Sequence, residues 1–136
     1  MATASEALSE LGITEWVLRG DPTSETEFNS MFTKVTGEDE NGSAIETKDT
    51  SKWGVTWKQV SDKMAEIDKA APLVELRLQR DAKLAETDFY ALSDVTMSDN
   101  MKTYRQALRD LPASNDGKNA TLKGGVLENV KWPTKP

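Results

Sequence analysis

The sequence contains no cysteine and no histidine. These absences exclude disulfides, cysteine nucleophiles, histidine bases and almost every zinc, copper or haem site. Any catalysis would have to use carboxylates, Lys, Tyr or Ser. The lack of cysteine is also consistent with a reducing cytoplasm. Only 37% of the residues are hydrophobic and the mean hydropathy is -0.61, which predicts limited self-burial and extensive interaction surface.

Long apolar runs are absent as well. No stretch of about 18 apolar residues is present, and no basic start is followed by an apolar block, so we expect neither a membrane span nor a secretory signal. A chain of 136 residues is sufficient for one domain, or for one small domain with an appendage. The expected product is soluble where it is made.

Positive charge is scarce in the first part of the chain. Residues 1–50 carry 3 basic and 11 acidic side chains, a net charge of -8, whereas residues 51–136 carry 14 and 12, a net charge of +2. Phosphate neutralisation requires clustered Lys and Arg, so this distribution argues against a nucleic-acid partner.

The N-terminal residues have mixed helix and strand patterns. Residues 1–11 are typical of a short helix ended by Gly12, and residues 13–19 of a strand. Ser24 with Glu27 is a capping-box pattern that predicts a helix up to Gly37, with apolar residues at helical spacing: Phe28, Met31, Phe32 and Val35. Residues 38–51 are polar and predict a surface loop or a small hairpin with an Asn-Gly turn.

A second capping pattern, Thr56 with Gln59, predicts a helix of about three turns. Pro72 either kinks this helix or begins a new one. From there to residue 112 the spacing predicts two amphipathic helices joined by a short acidic loop, the second capped by Ser98. The short connection favours antiparallel packing.

The remaining residues, 113–136, predict a mobile linker up to residue 125, a short strand over residues 125–132 and a Pro-rich end. The predicted fold is therefore mainly α within the α+β class. It consists of a small N-terminal α/β segment (1–55), an antiparallel helical hairpin (56–112) and an extended C-terminal tail (113–136).

Four segments of the C-terminal half carry a family resemblance. They are residues 77–81 (Arg-Leu-Gln-Arg-Asp), 84–89 (Leu-Ala-Glu-Thr-Asp-Phe), 104–112 (Tyr-Arg-Gln-Ala-Leu-Arg-Asp-Leu-Pro) and 132–136 (Trp-Pro-Thr-Lys-Pro). In order and spacing they resemble the tail assembly chaperones and tail-fibre assembly proteins of tailed bacteriophages. The sequence departs from that family in having Phe89 where Trp is usual, and in a long polar insert before the Trp-Pro ending. Residues 1–55 resemble, more loosely, the start of small structural proteins of marine cyanobacterial phages.

The resemblance implies a non-enzymatic phage protein without a cofactor. It would bind tail or tail-fibre polypeptides in the host cytoplasm during assembly, with self-association left open. The alternative is a virion structural protein, such as a tail, fibre-adaptor or capsid accessory subunit retained in the particle. Buried aromatic and Arg side chains tend to dominate the binding energy of interfaces. The expected partner contacts are therefore Phe89, Tyr90, Tyr104, Arg105, Arg109 and Trp132. The alternative is that several of them are core residues.

Two alternatives concern the charged side chains. Arg105 and Arg109 lie four residues apart and would either grip a carboxylate or remain solvated. An enzyme would need two carboxylates, drawn from Asp81, Asp88 or Asp94, in a defined cleft that the spacing does not predict. We therefore expect no catalytic residue and no metal site.

Overall fold

The computed structural model describes residues 1–136. About 51% of the chain is helical and 15% is strand, so the protein is a small α+β protein, as predicted. The helices are α1 (Ala4–Glu10), α2 (Glu25–Met31), α3 (Trp57–Ala85), α4 (Asp99–Asp110) and the one-turn α5 (Asn115–Lys118). The strands are β1 (Trp16–Leu18), β2 (Phe32–Glu38), β3 (Ala44–Thr47), β4 (Thr121–Lys123) and β5 (Val126–Glu128).

The chain forms two compact units, Met1–Lys69 and Ala70–Pro136. The division into residues 1–55, 56–112 and 113–136 stays a prediction. None of the helices combines the length and the apolar character that crossing a membrane requires.

Helix α1 shows how the local sequence sets its bounds. Thr3 Oγ1 accepts a hydrogen bond from the Glu6 backbone N–H, and the Glu6 carboxylate accepts one from the Thr3 N–H, at 3.2 and 2.7 Å. Gly12, with φ 73°, follows the last turn in the left-handed conformation that glycine adopts without steric cost. The helix predicted over residues 1–11 is confirmed with slightly shorter bounds.

The predicted helix from Ser24 to Gly37 is wrong in its second half. Ser24 does cap α2, but the helix ends at Met31 and the chain continues directly into strand β2. Residues 33, 35 and 36 are the β-branched Thr, Val and Thr, which lose side-chain freedom in a helix and pack well on a pleated surface. Pairing of β2 with β1 on one side and β3 on the other completes an antiparallel three-stranded sheet.

The β2–β3 connection is the small hairpin that was one of the two predicted alternatives. The Gly42 N–H donates to the Asp39 carbonyl at 3.0 Å, Gly42 has φ 78°, and the Asp39 N–H donates to the Ser43 carbonyl at 2.9 Å. This is a three-residue loop with glycine in the left-handed position.

An aromatic cluster forms the core of the N-terminal unit. The ring centroids of Phe28 and Phe32 lie 4.9 Å apart, and Phe32 and Trp53 lie 4.8 Å apart in an edge-on arrangement. Leu8 of α1 and Val60 of α3 are fully buried in the same cluster. The indole N–H of Trp53 donates to the Thr47 carbonyl at 3.0 Å, so the polar atom of this buried ring is satisfied.

A polar group ties the three strands together on the sheet. Arg19 Nη2 donates to both carboxylate oxygens of Glu46 at 2.9 Å, and Thr33 Oγ1 donates to Glu46 Oε1 at 2.7 Å. The hydrogen bonds from Arg19 and then from Thr33 lower the pKa of Glu46, because they stabilise its charged form. The same contact raises the pKa of Arg19.

Helix α3 continues through Pro72, so no new helix begins there. Ser98 caps α4 as predicted, since its hydroxyl accepts the Met101 N–H at 3.2 Å. The antiparallel packing of the two helices and the extended tail are not confirmed.

Residues 113–125 contain more regular structure than the predicted linker. Ser114 caps α5, and β4 pairs with β5 in a second antiparallel hairpin. Gly124 and Gly125 have φ of 55° and 79°, which is the two-residue turn that matches the twist of a hairpin. The strand predicted over residues 125–132 is shorter, and the glycines that resembled a linker form its turn.

We predict that Val60→Ala lowers the free energy of unfolding by about 2 kcal/mol, because it removes buried methyl groups and leaves a cavity. Val74→Ala is the matched control, since Val74 lies in the same helix but is 53% exposed, whereas Val60 is 0% exposed. The change in helix propensity is the same for both variants, so their difference reports burial. Urea unfolding followed by helical circular dichroism measures it, and equal midpoints would contradict the described core.

We predict that Glu46→Gln destabilises the sheet at neutral pH and not at low pH. A carboxyl whose pKa is lowered by folding contributes stability above its unfolded pKa, near 4.5, and loses it as the pH falls through the lower folded value. Wild type and variant should therefore differ in unfolding midpoint at pH 7 and converge below the folded pKa. A difference that does not depend on pH would exclude this linkage.

Candidate interaction site

The six side chains predicted as partner contacts all lie in the C-terminal unit, in or near α4. Arg105 is the most enclosed of the charged ones and is only 7% exposed. Its Nη1 donates to the Leu84 carbonyl at 2.9 Å and to Thr87 Oγ1 at 2.6 Å, while Nη2 donates to Asp88 Oδ1 at 2.9 Å. Of the two alternatives for this Arg, gripping a carboxylate is the one observed, and the carboxylate belongs to the same chain.

These contacts complete the C-terminal end of α3. The last carbonyls of a helix have no partner within the helix. The Leu84 carbonyl accepts from Arg105 and also from the Thr87 hydroxyl, at 3.1 Å. Thr87 is fully buried, and its hydroxyl both donates and accepts. Thr87 and Asp88 belong to the segment 84–89 that carries the family resemblance, but the sequence did not predict that they bind Arg105.

Tyr104 lies on the buried face of α4 and is 6% exposed. It forms an apolar cluster with Met101 and Leu108, and partly buried residues pack against the cluster: Leu84, Tyr90, Met97 and Trp132. Tyr104 therefore has the position of a core residue.

Trp132 holds the C-terminal residues against this cluster. Its ring is half-buried, and the Lys83 ammonium lies 5.1 Å from the ring centroid, within the range of a cation–π contact. Lys135 Nζ lies 3.6 Å from the Glu86 carboxylate, a pair that is about half exposed and contributes little. Burial of the indole therefore attaches the residues after β5 to the cluster.

Phe89 and Arg109 are the two predicted contacts that point to solvent. Phe89 stacks on Tyr90 with the ring centroids 4.2 Å apart, yet it remains 51% exposed, and Leu92 beside it is 58% exposed. Arg109 is exposed on α4 and has no carboxylate partner within the chain. These side chains are free to contact another polypeptide.

Two open grooves lie on either side of Pro133. One, of about 450 Å³, is lined by Asp110, Leu111 and Trp132, and the other, of about 340 Å³, by Tyr104 and Ala107. Both combine apolar and polar lining residues and are open to solvent.

Two of the three carboxylates considered for catalysis have structural partners. Asp88 pairs with Arg105, and Asp81 pairs with Arg80 at 2.8 Å.

Comparison with known proteins places the C-terminal half in a family context. Residues 73–136 match the family model described as phage tail assembly chaperone protein, so the resemblance noted from the sequence motifs is confirmed for this half. The matched residues include all six predicted contacts. No curated protein and no solved structure matches the chain.

We predict that Arg105→Met lowers the free energy of unfolding by about 2–4 kcal/mol, because the Leu84 carbonyl and the Thr87 hydroxyl lose a charged donor in a buried site. Arg109→Met is the matched control on the next turn of α4 and should change stability by less than about 0.5 kcal/mol. Arg105→Lys retains the charge without the planar fork and should recover little. Urea unfolding measures all three, and equal effects at positions 105 and 109 would contradict the structural role of Arg105.

Proposed function

We propose that this protein acts in the assembly of phage tails, as a non-enzymatic chaperone that binds a tail or tail-fibre polypeptide. The observation that carries the proposal is the family match over residues 73–136, which coincides with the segment built around Arg105. The family description names a role in tail assembly, and we assign that role to this chain as part of the proposal.

The geometry supports two different roles among the six predicted residues: some stabilise the unit and others are available to the partner. Tyr104 and Arg105 are buried and have partners within the chain, so they hold the end of α3 against α4. Phe89, Arg109 and the exposed part of Trp132 remain for the partner, because aromatic and Arg side chains contribute strongly when an interface covers them. Tyr90 positions Phe89 through their stacking.

The finer architecture belongs to the same proposal. An antiparallel arrangement of α3 and α4, followed by the Trp132-anchored tail, would present Phe89 and Arg109 on one rigid support. The hydrogen bonds from Arg105 to residues 84, 87 and 88 support this arrangement, since they join the end of one helix to the middle of the other.

The proposed role is tested by disrupting the reading frame in the parent phage and supplying the chain from a plasmid in the host. We expect heads without complete tails in electron micrographs when the chain is missing, and normal particles when it is supplied. Infectious particles with complete tails in the absence of the chain would refute a role in tail assembly.

The same complementation assay tests the contact residues. The double variant Phe89→Ala with Arg109→Glu should reduce the yield of infectious particles by about tenfold or more, since a loss of about 1.4 kcal/mol of binding corresponds to a factor of ten. Lys102→Glu is the matched control, because it reverses an exposed charge on the same helix. Equal yields for the two would remove Phe89 and Arg109 from the contact surface.

Mass spectrometry of purified virions separates the proposed chaperone from a retained subunit. A chaperone leaves the particle, so we expect the chain to be absent from virions that contain complete tails. Its presence in stoichiometric amounts would replace the chaperone with a virion structural protein.

A further inference from the structure

The sheet of the N-terminal unit has an edge that is open over part of the central strand. β3 pairs with β2 up to Glu38, but β1 pairs only with Phe32, Thr33 and Lys34. On the side of β1, the rest of β2 therefore has no neighbouring strand. Unpaired strand edges present rows of N–H and C=O groups to which another strand can bind.

The hydrogen-bond pattern identifies which backbone groups face this side. The Asp39 N–H donates to the Ser43 carbonyl, so these two residues are a hydrogen-bonded pair of the hairpin. In an antiparallel ladder hydrogen-bonded and non-bonded pairs alternate, so Glu38, opposite Ala44, directs its N–H and C=O away from β3. Those groups therefore point to the open side.

Glu15 is where the neighbouring strand stops. The Val35 N–H donates to the Glu15 carbonyl, but the return bond from the Glu15 N–H to the Val35 carbonyl is not formed. Glu15 has φ 56°, a conformation that costs a non-glycine residue free energy. The chain before β1 thereby turns away from β2, and an open groove of about 430 Å³ remains, lined by Glu15, by residues 35–38 and by Ala44 of β3.

The charge around the groove is negative. Glu15 and Glu38 line it, and Asp39 and Glu40 follow in the adjoining turn, all of them exposed. Lys34 lies nearby, but its ammonium group donates to the Thr14 carbonyl. The whole unit, residues 1–69, carries 14 acidic and 7 basic side chains, a net charge of -7. Complementary charge therefore favours a Lys- or Arg-bearing occupant.

We propose that an extended, basic segment of a partner polypeptide adds to the sheet as a strand along the open edge of β2 at Thr36–Glu38. The backbone of the added strand would bond to Glu38, and its Lys or Arg side chains would lie beside Glu15 and Glu38. This mode, in which main-chain bonds provide affinity and side chains provide selectivity, is known from other sheet edges. The site lies outside residues 73–136, so it does not depend on the proposed function of the C-terminal unit.

The test titrates three synthetic peptides into the full-length ¹⁵N-labelled chain and follows the backbone amides by NMR. The first peptide is Lys-Val-Lys-Val-Lys-Val-Lys with blocked ends, the second has Glu in place of each Lys, and the third is the Lys peptide with every backbone nitrogen methylated. We expect the first to shift the Glu38 amide and slow its hydrogen exchange. The second and third should bind at least about tenfold more weakly, since the Glu peptide carries the opposite charge and the methylated peptide lacks backbone N–H donors.

Two charge variants locate the site. Glu15→Gln and Glu38→Gln should each weaken binding of the Lys peptide about 2- to 5-fold, the effect of one exposed ion pair, and added salt should reduce these differences. Glu25→Gln is the control, because it removes an exposed acidic residue elsewhere in the unit. All three positions are exposed, so the variants should retain the fold.

Several outcomes would overturn the proposal. Equal binding of the methylated peptide would show that no strand is added, and equal binding of the Glu peptide would show that charge does not select the occupant. Shifts centred on Glu46, which borders the outer edge of β3, would place the peptide on the wrong edge. No shift with any peptide at millimolar concentration would refute the site altogether.

Discussion

The C-terminal unit depends on one buried arginine. Arg105 satisfies the Leu84 carbonyl at the end of α3, the hydroxyl of Thr87 and the carboxylate of Asp88 with a single planar group. A guanidinium suits this position because its donors form a fixed fork, which an ammonium group cannot reproduce. The Asp88 carboxylate is largely exposed, so the buried carbonyl and hydroxyl, more than the ion pair, account for the stabilising effect. The apolar cluster of Tyr104 then packs in a defined position beside this group.

The N-terminal unit is built on a different principle. Its core is a set of aromatic rings, centred on Phe28, Phe32 and Trp53, on which helices and a small sheet are placed. β1 pairs with a shorter part of β2 than β3 does, so β2 has an open edge on the side of β1. Acidic residues lie near this edge, in the β2–β3 hairpin and at Glu15. The two units thus provide surfaces of different chemistry: an acidic strand edge in the first, and exposed aromatic and Arg side chains in the second.

The sequence predicted the helices best where a cap and an apolar stripe coincide. The starts of α2 and α4 follow from Ser24 and Ser98, whose hydroxyls accept early backbone N–H groups. The prediction failed at Phe32. The apolar residues from Phe28 to Val35 have helical spacing, but the pairing of residues 32–38 with β1 and β3 does not follow from that spacing. It failed again after residue 113, where glycines that resembled a linker form the turn of a hairpin. In both places the structure depends on hydrogen bonds between paired strands, and a pattern within one segment does not predict which other segment it pairs with.

The sequence by itself determined the α+β class, the exclusion of thiol and imidazole chemistry, the charge asymmetry and the family resemblance of the C-terminal half. These depend on residue identity and order alone. Only the tertiary structure decided which of the predicted contact residues are buried, because Arg105 and Arg109 lie one turn apart on α4 with the same local pattern. Arg105 faces the end of α3 and is enclosed, whereas Arg109 faces solvent. That difference arises from hydrogen bonds between Arg105 and the residues that end α3, and the spacing of residues within α4 alone does not predict them.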